Sequence, residues 1–413
     1  MTSLRRLIEF NPAVPEFAAL PDDAVVTFVP LDAVWTGRRA DFSRRIAKGE
    51  VAVGYSRFLD GDILLPKVSP TFEAGRVAIA QAASGIGAAT TEVHVLRARP
   101  GIDPRFVAYV CQSARFLAEG AASQQGVGNL RRVSSDFVLN FPVSRASRDE
   151  QRAVADYLDG QTSRIDALIA RQLELIRLLG ERREALLFAI VAASASTASG
   201  EGAGATLAWP ALARSAQQPL RRVIKPINRP VPEGAEIVTA YTDGQVTRRS
   251  NRAKRGYHEA ADLSGFQGVD EGDFVVHGLD ILRGSVGIAD SSGAISSVCT
   301  VAKVSDQVDD RYLAMAVRLQ ARSGYTRALA RGIRSGGADF RRWDTLAELP
   351  VPVPPLIEQR MAAERFEAES ANMDALLVKV RDHIALAKER RSALITAAVT
   401  GQIDVRTASR RVA

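Results

Sequence analysis

One stretch of this sequence occurs twice. Residues 150–191 align without a gap on residues 358–399, at a constant offset of 208 positions. Identical blocks recur in this register: Glu-Gln-Arg at 150–152 and 358–360, Asp-Ala-Leu at 166–168 and 374–376, and Glu-Arg-Arg at 181–183 and 389–391. Several blocks in one ungapped register indicate an internal duplication. We therefore expect the chain to fold as two related halves.

Each copy of the repeat predicts one long helix. The sequence has no proline between Pro142 and Pro210 and none after Pro355. The first copy starts with Ser147 followed three positions later by Glu150, which fits a capping box. The second copy starts just after a pair of prolines, a common way to open a helix. About 42 residues rising ~1.5 Å each would give a helix ~60 Å long.

Apolar residues recur at seven-residue spacing along both predicted helices, which is typical of a coiled-coil seam. Gln172 interrupts the pattern in the first copy. The matched register favours pairing of the two helices with each other, the alternative being that each belongs to a separate bundle. The predicted seam residues are Leu158, Ile165, Leu179, Leu186, Phe366, Met373, Val380 and Leu394.

The segments outside the helices predict mixed α/β domains. In the first half, strand-like runs at 25–29, 63–65, 77–80 and 93–97 are separated by turn sequences, and a helix is expected over 103–118. The second half repeats this plan more weakly. The predicted division is a first domain at 1–149, a first helix at 150–192, an Ala/Ser/Gly-rich linker at 193–219, a second domain at 220–350, a second helix at 351–404 and a tail at 405–413.

Motifs for catalysis are missing from the sequence, so we do not expect an enzyme. The four histidines lack metal-ligand spacing, and no glycine-rich loop ends in Gly-Lys-Ser/Thr. No lysine has an acidic residue two positions before it, as in many metal-dependent nucleases. Two cysteines and no long apolar run favour a cytoplasmic protein with no membrane contact.

The positive charge favours nucleic acid as a partner. The net charge is +7 and the isoelectric point is about 9.6. An Arg/Ala-biased composition would explain the same values without DNA. Arginine and lysine contact phosphates, and arginine, asparagine and glutamine also read bases. The candidate DNA contacts are Arg38, Arg39, Arg44, Lys67, Arg76, Gln125, Asn129, Arg131, Arg132, Arg248, Arg249, Asn251, Arg252, Lys254, Arg341 and Arg342.

A proline followed by Glu-Gln stands at the start of each long helix, as Pro142 with Glu150-Gln151 and Pro350 with Glu358-Gln359. The second helix ends Val-Thr-Gly-Gln-Ile at 399–403, and the first half has characteristic segments at 58–64 and 67–76. In these motifs, of which the paired Glu-Gln segments are the most specific, the chain resembles the specificity subunits of type I restriction–modification systems over nearly its whole length. The first helix lacks the Thr-Gly ending, so the connection between the halves departs from the pattern.

The resemblance implies an α+β fold in which two mixed α/β target recognition domains are separated by two long antiparallel helices forming a coiled coil, as a pseudo-two-fold repeat. Each domain would read one half of a split site in double-stranded DNA. The helices would dock two methyltransferase subunits, joined in some complexes by restriction subunits. S-adenosylmethionine, and ATP with Mg for restriction subunits, would bind to those partners and no cofactor to this chain. The alternatives are a stand-alone DNA-binding regulator that associates through its helices, an enzyme with a hidden centre, and a scaffold without DNA contact.

Overall fold

The computed structural model of the chain describes residues 1–128, 131–197, 217–252, 263–324, 326–327, 333–334, 337–338 and 340–410. These residues form two compact units. The first comprises Met1–Glu174 with Val380–Ala413, and the second comprises Leu175–Lys379. Each of the two long helices therefore contributes one part to the first unit and another part to the second. Across the described ranges, no helix combines the length and apolarity needed to cross a bilayer.

The α-helices of the described residues follow in chain order. They are α1 Pro15–Ala19, α2 Pro104–Val110, α3 Ala114–Ala122, α4 Ser135–Asn140, α5 Arg148–Thr197, α6 Asp310–Arg322, α7 Trp343–Ala347, α8 Leu356–Val399 and α9 Val405–Arg410. Short 3₁₀ turns lie between several of the strands.

The strands are short, with six residues at most. In the first unit they are β1 Thr2–Ser3, β2 Ile8–Phe10, β3 Val25–Val29, β4 Arg45–Ala47, β5 Ser56–Leu59, β6 Ile63–Pro66, β7 Ala78–Ile79, β8 Ile86–Ala89, β9 Val93–Ala98 and β10 Pro142–Val143. In the second unit they are β11 Gln217–Pro219, β12 Ile224–Ile227, β13 Val238–Ala240, β14 Val246–Arg248, β15 Phe266–Val269, β16 Phe274–His277, β17 Val286–Ile288, β18 Gly293–Ser296, β19 Cys299–Val304, β20 Ile333–Arg334, β21 Gly337–Ala338 and β22 Pro350–Pro352.

The first unit contains two four-stranded sheets, ordered β2-β9-β6-β7 and β4-β3-β8-β5, and the pair β1-β10. Only β3 and β8 pair in parallel among its described strands. The strands predicted at 25–29, 63–65, 77–80 and 93–97 are confirmed as β3, β6, β7 and β9. The core of this unit includes Phe106 and Phe116 together with Leu158 of α5 and Ile395 of α8.

The second unit repeats part of this plan. Its four-stranded sheet has the order β12-β19-β16-β17, matching β2-β9-β6-β7, and the pair β11-β22 matches β1-β10. Among the described residues of the second unit, the second sheet of the first unit has no equivalent of the same size, since β13-β14 and β15-β18 form separate pairs. One core cluster contains Leu187 and Val191 of α5, Tyr312 and Leu319 of α6, and Phe366 of α8.

The first long helix begins at Arg148, within two residues of the predicted start, and carries the predicted cap. The backbone N–H of Ser147 donates to Glu150 Oε2 at 2.7 Å, and the backbone N–H of Glu150 donates to Ser147 Oγ at 3.3 Å, which confirms the capping box. The second helix, predicted over 351–404, runs from Leu356 to Val399. It starts later than predicted because residues 350–352 form a strand and Pro354 and Pro355 follow it. The first helix continues to Thr197, five residues beyond the predicted boundary at 192.

Within each unit, α5 and α8 run antiparallel. In the first unit, Asp166 lies against Arg391, and Leu158, earlier in α5, shares a core with Val399, later in α8. In the second unit, Arg183 lies against Asp374, and Ile190 shares a core with Ala363. Later positions in α5 therefore lie beside earlier positions in α8, as they do in antiparallel helices.

The predicted seam residues lie along the inner faces of these helices. Leu158, Leu179, Phe366, Met373 and Val380 are buried, whereas Ile165, Leu186 and Leu394 are half-buried. Gln172 interrupts this row as the sequence indicates, and its Oε1 is buried without a hydrogen-bond partner among the described residues.

Two features differ from the sequence-based expectation. The single helix predicted over 103–118 is broken into α2 and α3 because Ser113 caps a new helix, accepting from the backbone N–H of Phe116 at 3.4 Å. The predicted linker at 193–219 is helical up to 197 and contains β11 from 217, while residues 198–216 lie outside the described residues. The predicted tail contains α9, and 411–413 also lie outside.

Candidate nucleic-acid interface

Each globular part is fixed to its long helix by a buried glutamine. The side-chain oxygen of Gln151 accepts from the backbone N–H of Asp103 at 3.1 Å, and its amide donates to the carbonyl of Ala146 at 2.9 Å. In the second unit, Gln359 accepts from the N–H of Asp309 at 2.9 Å and donates to a carbonyl at 2.7 Å. The duplicated Glu-Gln pair therefore has a physical role, because its glutamine ties a loop of the domain to the helix start.

A duplicated ion cluster reinforces this junction. Arg105 donates to Asp103 at 2.7 Å, to Asp156 at 2.7 Å and to Asp159 at 2.8 Å, the latter two on α5. Its counterpart Arg311 donates to the preceding aspartate at 2.9 Å and to Glu367 of α8 at 2.9 Å. Hydrogen bonding to these carboxylates raises the pKa of both arginines. These arginines hold the domains on the helices through ion pairs with carboxylates of both parts.

A second pair of equivalent contacts consists of a buried aspartate in each unit and its basic partners. Asp62, buried after a glycine turn, accepts two hydrogen bonds from Arg97, both at 2.8 Å. Its counterpart Asp273 is fully buried and pairs with Arg229 and with Lys303, the latter at 2.8 Å. The carboxylates fix the turns that precede β6 and β16. The matching of these pairs shows that the two units share a scaffold even where their loops differ.

One group of candidate DNA contacts is brought together in the first unit. Bridges between residues 125 and 132, and between 68 and 132, place Gln125, Arg131 and Arg132 beside Lys67. Arg132 donates to both carboxylate oxygens of Glu92, at 2.9 and 2.7 Å, and this hydrogen bonding lowers the pKa of the carboxylate. With the acidic partners counted, the group keeps an excess of positive charge.

A second group is built on an indole ring. The guanidinium carbons of Arg39 and Arg76 lie 3.8 and 3.5 Å from the ring centroid of Trp35. Such cation–π contacts orient a guanidinium without neutralising it. Burial, together with the charge of Arg39, lowers the pKa of Arg76. Nearby in the sequence, Arg44 lies 5.0 Å from the ring of Phe28. Two like charges held on one ring make an arrangement suited to an anion.

Four candidates of the second unit, at positions 248, 249, 251 and 252, lie on β14 and the turn that follows it, where each has an internal partner. Arg248 donates to the carbonyl of Ser292 and pairs with Glu236 at 3.4 Å. Arg252 pairs with Asp243 at 2.6 Å and lies 4.2 Å from the ring of Tyr241. Arg249 and Asn251 donate to Thr239 and Thr247 at 3.1 and 3.0 Å. A DNA phosphate would have to compete with these contacts.

Of the five remaining candidates, two lie just before α7 and three lie wholly or in part outside the described residues. Arg341 and Arg342 are exposed immediately before α7. Asn129 and Lys254 lie outside the described residues, and the side chain of Arg38 is also outside them.

Sequence reasoning missed several residues that matter at this surface. Trp35 precedes Arg39 by four positions, and an aromatic residue among arginines is a signal that could have identified it. The acidic partners Glu92 and Asp243 could not be found from sequence, because they meet their arginines only through the fold. Among the described residues, no three His, Cys, Asp or Glu side chains are grouped as they would be around a metal ion.

Comparison with known proteins connects this fold to restriction–modification systems. The type I restriction enzyme EcoEI specificity subunit of Escherichia coli is 30% identical over 143 residues, which make up 34% of this chain and 24% of that protein. The EcoAI specificity subunit of Escherichia coli is 30% identical over 156 residues, 37% of this chain and 26% of that protein. The alignments thus span about a quarter of each curated relative. No protein-family model matches the chain.

A solved structure concerned with complex assembly and conformational transition of the type I R-M system matches almost the whole fold. The match has a TM-score of 0.63 at 16% identity and covers 97% of each chain. This confirms the predicted fold class, and the curated relatives confirm the resemblance to type I specificity subunits that the motifs indicated.

Proposed function

We propose that this chain is the DNA-recognition subunit of a type I restriction–modification complex and reads a split site in double-stranded DNA. The globular part of the first unit would contact one half-site through the Lys67 group and the Trp35 stack. The globular part of the second unit would contact the other half-site through the β14 group. The long helices would set the spacing between the half-sites. We place this activity in the cytoplasm, where the chromosome is accessible.

The proposal rests on one contrast. The contacts that join the domains to the helices recur in both units, whereas the candidate DNA contacts differ between them. The anchoring contacts at Gln151 and Gln359 recur in both units, as do the helix pairs Asp166–Arg391 and Arg183–Asp374. The candidate contact groups, by contrast, have different residues and partners. A protein that reads two different half-sites needs one scaffold built twice and two unlike reading surfaces, and the similarity to specificity subunits supports the same conclusion.

The helices offer matched surfaces for two copies of a partner. Leu168 and Leu376 occupy equivalent positions of the repeat and are 47% and 41% exposed. Leu178 and Leu386 form a second equivalent pair, 46% and 63% exposed. A surface that binds one copy of a partner on each helix must repeat in both helices, and exposed leucines at equivalent positions of the repeat meet that requirement. We assign them to two methyltransferase subunits, which would supply the S-adenosylmethionine and the catalysis. Restriction subunits would join the same complex where they are present.

Co-expression with a type I methyltransferase subunit from the same source tests this assignment. We expect the wild-type chain to copurify with it and to direct methylation to one bipartite sequence. A double substitution of Leu168→Asp and Leu376→Asp should abolish copurification, because it buries two charges in the interface. Val53→Asp, at an exposed position outside the helices, is the matched control. Unchanged copurification of the double variant would contradict docking on the helices.

The stand-alone regulator is the second candidate, since it needs the same DNA-contact groups. It would bind its site with full affinity alone and would not direct methylation. A methylation assay with the isolated chain separates our proposal from a hidden enzyme, because we expect no transfer until the methyltransferase is added. A scaffold without DNA contact predicts no sequence preference in a binding assay.

A further inference from the structure

The indole ring of Trp35 is held firmly within the first unit. Its Nε1 donates a hydrogen bond to the backbone carbonyl of Asp32 at 2.8 Å. The preceding residue, Val34, is completely buried, and the backbone N–H of Asp41 donates to the carbonyl of Ala33 at 3.1 Å. Both the edge of the ring and the backbone that carries it are therefore fixed, so the ring can act as a rigid support.

Two guanidinium groups lie on opposite faces of this ring. Their central carbons lie 3.8 Å (Arg39) and 3.5 Å (Arg76) from the ring centroid. Non-bonded carbon atoms approach to about 3.5–4.0 Å, so each guanidinium must lie almost directly above the ring. Two such groups on one face would overlap each other. The arginines therefore flank the ring, and their guanidinium carbons are about 7 Å apart, the sum of the two distances.

The two cations on Trp35 are not neutralised by an internal partner. Neither Arg39 nor Arg76 forms an ion pair or a hydrogen bond through its side chain with another described residue. Arg132 and the arginines of the β14 group, by contrast, all have such partners. The charge of Asp32 raises the pKa of Arg76, but less than burial and Arg39 lower it. With this carboxylate counted, the stack keeps one net positive charge.

Both guanidinium groups can be reached from solvent. Arg39 is exposed and Arg76 is half-buried. The Nε of Arg76 is buried without a partner among the described residues, whereas its terminal nitrogens remain open to solvent. A ligand can therefore contact Arg76 through the two terminal nitrogens, which suit the paired oxygens of a phosphate. The adjacent Val77 is buried and fixes the backbone from which this side chain extends.

We propose that Arg39 and Arg76 bind two consecutive phosphates of one DNA strand, with Trp35 as the spacer between them. This inference rests on the proposed function. Consecutive phosphates of one B-DNA strand lie about 7 Å apart, since each step rises ~3.4 Å and turns about one tenth of a circle. That distance matches the separation of the two guanidinium carbons. The indole fills the space between the cations, so a single phosphate cannot lie between them. Trp35 is a positioning residue, because it contacts the arginines and not the phosphates.

Neutral methylphosphonates, placed one at a time in the first half-site, test this pairing through the Kd of the full chain for its duplex. The wild type should lose affinity about tenfold at each of two consecutive positions of one strand, because each loses a charge-assisted hydrogen bond. Arg39→Gln should remain sensitive at only one of these positions and Arg76→Gln at only the other. Trp35→Leu keeps both charges but should be less sensitive at both. Arg6→Gln, at an exposed position, and Trp343→Leu, in the second unit, are matched controls that should keep the wild-type pattern.

Sensitive positions on different strands, or separated by an unaffected phosphate, would overturn the inference. A wild-type pattern in Trp35→Leu would overturn the role of the spacer, and the arginine variants still decide the pairing if Trp35→Leu does not fold. If the chain binds DNA without sequence preference, the proposed function fails, and the salt dependence on any duplex decides the inference. Each arginine variant should then lower the slope of log K against log salt by about 0.9, and unchanged slopes would overturn it.

Discussion

Removal of the glutamine anchors is the sharpest test of how the domains are held. Gln151→Met and Gln359→Met keep the length of the side chain but lose both of its hydrogen bonds. Each substitution leaves one backbone N–H and one backbone carbonyl without a partner. An unsatisfied buried group costs about 1–3 kcal/mol, so each variant should lose roughly 2–6 kcal/mol. That is a large part of the ~5–15 kcal/mol that stabilises a typical domain.

The structure also predicts which anchor matters more. Gln359 is fully buried, and the carbonyl it donates to belongs to buried Pro354, whereas Ala146, the partner of Gln151, is half-buried. Water can therefore replace part of the lost bond at Gln151 and less of it at Gln359. We expect Gln359→Met to be the more destabilising of the two.

Urea unfolding followed by circular dichroism measures these losses through the shift of each transition midpoint. Arg152→Ala and Arg360→Ala, at exposed positions next to the two glutamines, are matched controls that should change stability by less than about 0.5 kcal/mol. If the methionine variants were no less stable than these controls, the anchors would not hold the domains and the argument would be refuted.

Three further predictions concern pH, charge and length. Burial lowers the pKa of His94 from 6.5 to about 4; the neutral ring therefore contributes stability above pH 6.5, and about 3 kcal/mol should be lost as the pH falls from 6.5 through 4. When urea unfolding is measured at pH 7 and 4.5, His94→Gln should lose less stability between the two values than the wild type does. An equal loss would mean that other groups cause it. Arg39→Gln with Arg76→Gln should reduce the salt dependence of DNA binding by about two charges, whereas an unchanged slope would remove the Trp35 stack from the interface. Deleting one heptad from each long helix removes ~10 Å of rise and should shorten the spacing of methylated half-sites. If the spacing did not change, the helices would not set the distance between the half-sites.

Several features of this chain could be predicted from local sequence. The duplication, both helix starts and the capping box at Ser147 depend on short-range hydrogen bonding and periodicity, which a single segment already contains. The four strands of the first domain follow from β-branched runs between turn sequences. The break between α2 and α3 was missed because the apolar face continues across it, and only the Ser113 cap interrupts the backbone.

The candidate site was less predictable. Clusters of arginine indicate basic surfaces, but the net charge of each surface depends on acidic residues elsewhere in the sequence. Glu92 beside Arg132 and Asp243 beside Arg252 are examples. The place of Arg76 on the ring of Trp35 could not be inferred at all, because the two residues meet only through the fold.

By itself, the sequence determined that two matching helices exist and that each starts near the same Glu-Gln pair, because caps, periodicity and duplication are properties of contiguous residues. Only the tertiary structure decided which helix ends pack together. A seven-residue repeat fits parallel and antiparallel partners alike, whereas the charge pairs Asp166–Arg391 and Arg183–Asp374 form in the antiparallel arrangement found in each unit. That choice places Ile395 in the core of the first unit and Leu187 in a core of the second, which no pattern within either segment specifies.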